Sequence, residues 1–152
     1  MSDQDSNESH KLKVREYLNE VIDNGKVDLL DELFTEDCII HRPEFPEPIE
    51  GRENFKAFLS VGLTQVICEM HTTLHDMVAE GDLLACRLTH RATFCKDAVL
   101  PSRLGTYKVS ERTVTWFAIA LCRFRDDKVS EEWVCRDEMG TMLQLGILTP
   151  EQ

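Results

Sequence analysis

Apolar residues recur at two different periods along this chain, and the change of period divides it. From Lys11 onward, Val14, Leu18, Val21 and Ile22 return at spacings of three and four, which gives one apolar stripe on a helix. Asn24-Gly25 supplies the stop. A short second helix is expected next, with Val27, Leu30, Leu33 and Phe34 on one side. Cys38 to His41 reads as a short strand. In the run that follows, Pro43, Pro46 and Pro48 exclude both a helix and a central strand. Gly51-Arg52-Glu53 opens a third helix that buries Phe55, Phe58, Leu59, Gly62 and Leu63. Ahead of these elements, residues 1–9 are polar and acidic and read as a disordered tail, leaving 10–152 as one domain.

In the second half the period becomes two. Met70 to Ala79 is a candidate strand, and Glu80-Gly81-Asp82 a tight turn. From Leu83 to Phe94 the chain alternates. Leu84, Cys86, Leu88, His90, Ala92 and Phe94 share one face; Arg87, Thr89, Arg91 and Thr93 share the other. Residues 96–111 read as a long, polar, mobile loop. Thr113 to Phe124 is a long strand, Asp126-Asp127 a turn, Val129 to Asp137 the returning strand, and Met139 to Gly146 a final short helix. Helices first and a meander of strands afterwards predict an α+β domain. The expected architecture is a curved antiparallel sheet closed into a cone by the N-terminal helices, with a ligand pocket at its mouth.

Composition narrows the function. The chain has 152 residues, enough to bury one real core. Its 28 acidic and 17 basic residues give a net charge of −11, which repels phosphate backbones and anionic lipid. Neither nucleic acid nor a membrane surface is an expected partner. The longest apolar run, Trp116 to Cys122, is too short to span a bilayer, no secretory signal is present, and the cytoplasm is the expected location. Six cysteines without a C-x-x-C pair read as reduced thiols packed as small hydrophobes. Both faces of the strand around Trp116 are apolar, since Phe117, Ile119 and Leu121 alternate with Trp116, Ala118 and Ala120. Helices can cover only one of those faces, so a homodimer is expected to cover the other.

The last strand holds the candidate chemistry. Strict alternation puts Val129, Glu131, Trp133, Cys135 and Asp137 on one face, and Val129 and Trp133 mark that face as the covered one. A carboxylate buried there is disfavoured as an anion, which suits a general acid or base near neutral pH. Asp137 carries a second reading as the N-cap of the final helix. His41, at the end of the short strand, is placed to orient or relay a proton, or else is a polar strand end bonded to backbone. His90, among apolar neighbours, is a hydrogen-bonded core histidine or part of a pocket wall. Trp116 and Trp133 are core residues or cavity walls. His71 and His75 lie about 13 Å apart along a strand, too far to share a metal, and no metal site is expected.

The runs GRENFKAFL (51–59), AEGDLLACR (79–87), RTVTWFAIALCRFRDDKVSEEW (112–133) and DEMGTMLQLG (137–146) resemble the SnoaL-like polyketide cyclases of the nuclear transport factor 2-like superfamily. The resemblance implies a cone-shaped α+β barrel, generally a homodimer. It also implies an intramolecular aldol ring closure without metal or cofactor, with Asp137 as general acid/base and His41 in the same pocket. Many relatives carry Gly-Thr-His where this chain has Ala92-Thr93-Phe94, so Phe94 replaces that histidine. The expected function is a cofactor-independent cyclase or isomerase acting on a hydrophobic carbonyl compound. Asp137 and His41 are its expected catalytic residues, and His90, Phe94, Trp116, Trp133 and Glu131 its substrate-binding residues. A non-catalytic small-molecule-binding dimer of the same fold is the alternative.

Overall fold

In the computed structural model, which describes residues 2–151, the chain opens as a helix and not as a tail. Helix α1 spans Asp3–Glu16. The Ser2 hydroxyl accepts the Asp5 backbone N–H at 3.2 Å, and the Asp5 carboxylate accepts the Ser2 N–H in return. Asp3 and Asp5 sit at the positive end of the helix dipole. The polar composition that suggested disorder is therefore that of an exposed, capped first turn. Helix α1 continues as a π-helical stretch, Tyr17–Asp23, which buries Tyr17, Leu18, Val21 and Ile22. A 3-10 turn, Val27–Leu29, leads into the one-turn helix α2, Leu30–Leu33. Helix α3, Arg52–Ser60, runs on into a second π-helical stretch, Val61–Val66. Among the described residues, no helix is long and apolar enough to cross a membrane.

The strands are β1 (Phe34–His41), β2 (Ile49–Glu50), β3 (Ile67–Glu80), β4 (Leu83–Phe94), β7 (Arg112–Arg125) and β8 (Lys128–Arg136). They form one curved six-stranded sheet in the order β2-β1-β8-β7-β4-β3. Its pairs are antiparallel except β1–β8, which is parallel. The expected polar loop is a hairpin of its own, β5 (Ala98–Ser102) with β6 (Gly105–Val109). The Arg103 side chain pins its tip by donating to the carbonyls of Pro43 and Phe45, each at 3.0 Å. Helix α4, Glu138–Gln144, closes the described fold.

The alternation of β4 appears as expected: Leu84, Cys86, Leu88, His90, Ala92 and Phe94 are buried, and Arg87 and Arg91 are exposed. The phase of β8 is inverted. Phe124 pairs with Val129 but Arg123 pairs with Glu131, so Ser130 is an extra residue, a β-bulge. Val129 points inward before the bulge; Glu132, Val134 and Arg136 point inward after it. The reading of the cysteines is corrected too. Cys38, Cys86 and Cys122 are buried free thiols, but Cys135 is exposed, and Cys68 and Cys95 are joined in a disulfide across the ends of β3 and β4. They are 27 residues apart, so only strand pairing brings them together.

Candidate functional site

Inward positions of β4, β7 and β8 form one wall of a cavity of about 330 Å³. The π-helical stretches after α1 and α3 form the other, through Leu18, Ile22, Val61 and Leu63, and the β5–β6 hairpin contributes Leu100, Pro101 and Tyr107. Most of this wall is hydrocarbon, and the polar groups converge in a few places.

One polar group gathers on β8 and the segment after β1. Arg136 reaches Glu44 at 3.0 Å and also pairs with Glu138; Arg42 reaches the same Glu44 oxygen at 3.4 Å. Burial pushes the Glu44 carboxyl up, but the Arg42 and Arg136 guanidiniums outweigh it and hold it below its ordinary value. Deeper on β8, Glu132 is 2% exposed. Burial raises its carboxyl to about 7, against the opposing pull of Arg42, the Tyr17 hydroxyl and Cys122. The same environment drives the Tyr17 hydroxyl well above its ordinary value, by burial first and the Glu132 charge second. Glu44 Oε2, Glu132 Oε1 and Arg42 Nε are buried without a hydrogen-bond partner among the described residues.

The second polar group is His90, on β4. Its Nδ1 lies 2.8 Å from the Thr72 hydroxyl on β3, directly opposite in register. That hydroxyl lies 2.6 Å from Asp23 Oδ1, and Asp23 Oδ2 accepts the Thr72 backbone N–H at 2.9 Å. His90 Nε2 has no hydrogen-bond partner among the described residues, and the ring lines the cavity. Burial lowers the imidazole to about 4, with Arg42 and Arg136 adding to the effect. Its ring tilts against Trp116 at 5.6 Å, and the Arg136 guanidinium lies 5.7 Å from the centre of the same indole.

Of the residues singled out in the sequence, His90, Phe94 and Trp116 line the cavity. Glu131 and Trp133 do not, because the Ser130 bulge turns them to the outer face of the sheet. His41 joins them there: its Nε2 is 2.9 Å from Glu131 Oε1, and its ring stacks on Trp133 at 5.3 Å. Asp137 caps α4, its carboxylate accepting the Gly140 N–H at 3.0 Å, and it is not part of the cavity wall. His41 and Asp137 are thus not brought together. Sequence reasoning missed Tyr17, Arg42, Glu44, Thr72, Glu132 and Arg136. Arg42 and Glu44 gave a faint signal, as charges set beside an apolar strand end. Asp23 and Thr72 gave none, since they meet only when the helix end packs on β3. Among the described residues, no group of three histidine, cysteine or carboxylate side chains is arranged to hold a metal.

The family model described as SnoaL-like polyketide cyclase matches residues 12–145. Among solved structures, TsrD from Streptomyces laurentii is similar at a TM-score of 0.74, with 21% identity over 92% of this chain and 96% of that one. Wild-type IdmH from Streptomyces antibioticus has a TM-score of 0.70, with 24% identity over 90% of this chain and 98% of that one. An LEH-like epoxide hydrolase of M. tuberculosis has a TM-score of 0.71 at 13% identity, over 93% of this chain and 92% of that one. At these identities the likeness is one of fold. No curated protein matches the chain.

Proposed function

The chain belongs to the SnoaL-like polyketide cyclase family, and from that premise we propose that it is a cofactor-independent cyclase or isomerase acting on a hydrophobic carbonyl compound. The observation that supports this reading most is the cavity: apolar walls with two guanidiniums, Arg42 and Arg136, and an imidazole, His90, facing the same space. Apolar walls take up a hydrophobic skeleton. A guanidinium in a dry cavity stabilises the negative oxygen that develops when a proton leaves the carbon beside a carbonyl. Enolate formation is the step that aldol closure and double-bond isomerisation share. In this reading Asp137 serves the fold as a cap and His41 serves the outer face.

The test uses α-tetralone, a bicyclic aromatic ketone. Its binding is followed by tryptophan fluorescence, and exchange of its C2 protons in D₂O by NMR. Trp116 lines the cavity and Trp133 lies outside it, so the fluorescence response is expected to vanish in Trp116→Phe and persist in Trp133→Phe. Protein-dependent exchange supports an enzyme; binding without exchange supports the alternative, a ligand-binding protein of the same fold. Asp137→Asn is expected to exchange at the wild-type rate. The acid/base role implied for Asp137 by the family resemblance predicts instead a loss of roughly 10²–10⁴-fold.

A further inference from the structure

We propose that His90 is the catalytic base of the cavity, acting through Nε2, and that Thr72 and Asp23 are positioning residues that fix its tautomer. The proposal rests on the reading of the cavity as an enzyme site. The Thr72 hydroxyl carries a single proton. That hydroxyl touches two groups, Asp23 Oδ1 at 2.6 Å and His90 Nδ1 at 2.8 Å. A carboxylate only accepts, so the hydroxyl proton is directed to Asp23. The Thr72 oxygen is then left to accept from His90, and Nδ1 must carry the ring proton. The lone pair falls on Nε2, the nitrogen without a partner among the described residues.

The arrangement is held from three elements. Asp23 ends the π-helical stretch after α1, Thr72 lies on β3, and His90 lies opposite Thr72 on β4. Both oxygens of Asp23 are committed to Thr72, one to its hydroxyl and one to its backbone N–H, so the carboxylate cannot turn away without breaking both bonds. A histidine placed only for packing has no need of a relay of this kind. The order base, orienting group and carboxylate is the arrangement that fixes an imidazole for proton transfer. Here a threonine hydroxyl stands between imidazole and carboxylate.

The chemistry balances without a redox partner. A C–H bond beside the substrate carbonyl breaks, and its proton forms an N–H bond at His90 Nε2. The electron pair moves into the enolate, whose oxygen accepts hydrogen bonds from the guanidiniums of Arg42 and Arg136, which Glu44 holds at the cavity wall. The new imidazolium is offset by Asp23 through the Thr72 hydroxyl. The proton held at Nε2 then returns to the product carbon or oxygen, and the base is regenerated. Burial and the two guanidiniums keep the free imidazole neutral, hence in its basic form, across the neutral range.

Long-range nitrogen–proton NMR of the histidine side chains tests the geometry without turnover. The wild type is expected to show His90 protonated at Nδ1 and bare at Nε2. Thr72→Val, which keeps the shape and removes the hydroxyl, should lose that single tautomer, and Thr72→Ser should restore it. A merely structural threonine would leave the tautomer unmoved. In α-tetralone exchange, His90→Gln is expected to lose roughly 10²–10⁴-fold while still binding the ketone by fluorescence. Thr72→Val should fall between that variant and the wild type, and Thr72→Ser should recover. A wild type protonated at Nε2, or His90→Gln with undiminished exchange, overturns the assignment while leaving the enzyme reading intact. A wild type that binds the ketone and exchanges nothing overturns both.

Discussion

His90 and Glu132 line one cavity, and burial shifts them in opposite directions along the pH axis. His90 falls from an ordinary 6.5 to about 4, while Glu132 rises from an ordinary 4.5 to about 7. The sign of each effect on stability follows from which state binds the proton. Below 6.5 the unfolded chain protonates its histidine while the folded chain resists, so this group removes stability as pH falls toward 4. Above 4.5 the unfolded chain releases the glutamate proton while the folded chain keeps it, so this group removes stability as pH rises toward 7. Each effect is worth about 3 kcal/mol at full extent, and between 4.5 and 6.5 the two slopes cancel. Glu132→Gln removes one of them. Urea titrations should find the variant equal to the wild type well below pH 4.5, where Glu132 is neutral in both states. It should be more stable by up to about 3 kcal/mol at pH 8, where the wild type buries an anion. A variant less stable than the wild type at pH 8 would show that the Glu132 anion contributes favourably and that Arg42 compensates its burial in full.

Among the elements, β4 and β8 differ in how far the sequence declares them. In β4, alternation alone states both faces, because the strand pairs in unbroken register with β7 from end to end. In β8 the same rule fails after Ser130. The extra residue there is set by pairing with β7, where the Ser130 hydroxyl donates to the Arg123 carbonyl, and nothing in the composition of Val129 to Asp137 announces it. One slipped position moves Glu131 and Trp133 out of the cavity and Glu132 and Arg136 into it. The order of the longer helices and strands and the inward set His90, Phe94 and Trp116 were legible from period, whereas the first turns of α1 and the β5–β6 hairpin were not. The Asp23–Thr72–His90 relay was not, since it joins residues 49 and 18 positions apart. The end of β8 was legible only as a choice, and Asp137 caps α4. That cap depends on Gly140: a Cβ built there would sit 2.1 Å from Asp137 Oδ2. Alanine at 140 gains about 1 kcal/mol of helix propensity but displaces the cap, which is worth about the same. Gly140→Ala should therefore change the melting temperature little in the wild type. In an Asp137→Ala background it should stabilise by about 1 kcal/mol. Equal effects in both backgrounds would mean that the carboxylate moves aside without loss.

At the scale of the whole molecule, the helices pack on one face of the sheet and leave the other open. Phe117 and Ile119 project from the middle of that open face on β7, 58% and 52% exposed. Leu121 and Trp133 extend the patch, paired across β7 and β8, and Met139 on α4 adds an apolar side chain at 69% exposure. Single exposed apolar residues need no explanation, but neighbours on adjacent strands form a patch that water disfavours. The proposed cover is a second copy of the chain, sheet against sheet. β7 lies inside the sheet and is flat to a partner, and a two-fold axis over it lets each copy bury the other's Phe117 and Ile119. The charge of −11 on each copy works against this contact, so association should strengthen with added salt as the long-range repulsion is screened. Aromatic and aliphatic anchors at an interface centre cost about 2 kcal/mol or more each when removed. The double variant Phe117→Glu, Ile119→Glu should therefore weaken association by roughly a thousandfold or more and halve the mass seen by light scattering at micromolar concentration. The cavity lies on the other side of the sheet, so α-tetralone should still bind the resulting monomer. A wild type that scatters as a monomer at the same concentration would show that this face is left to water or to a different partner.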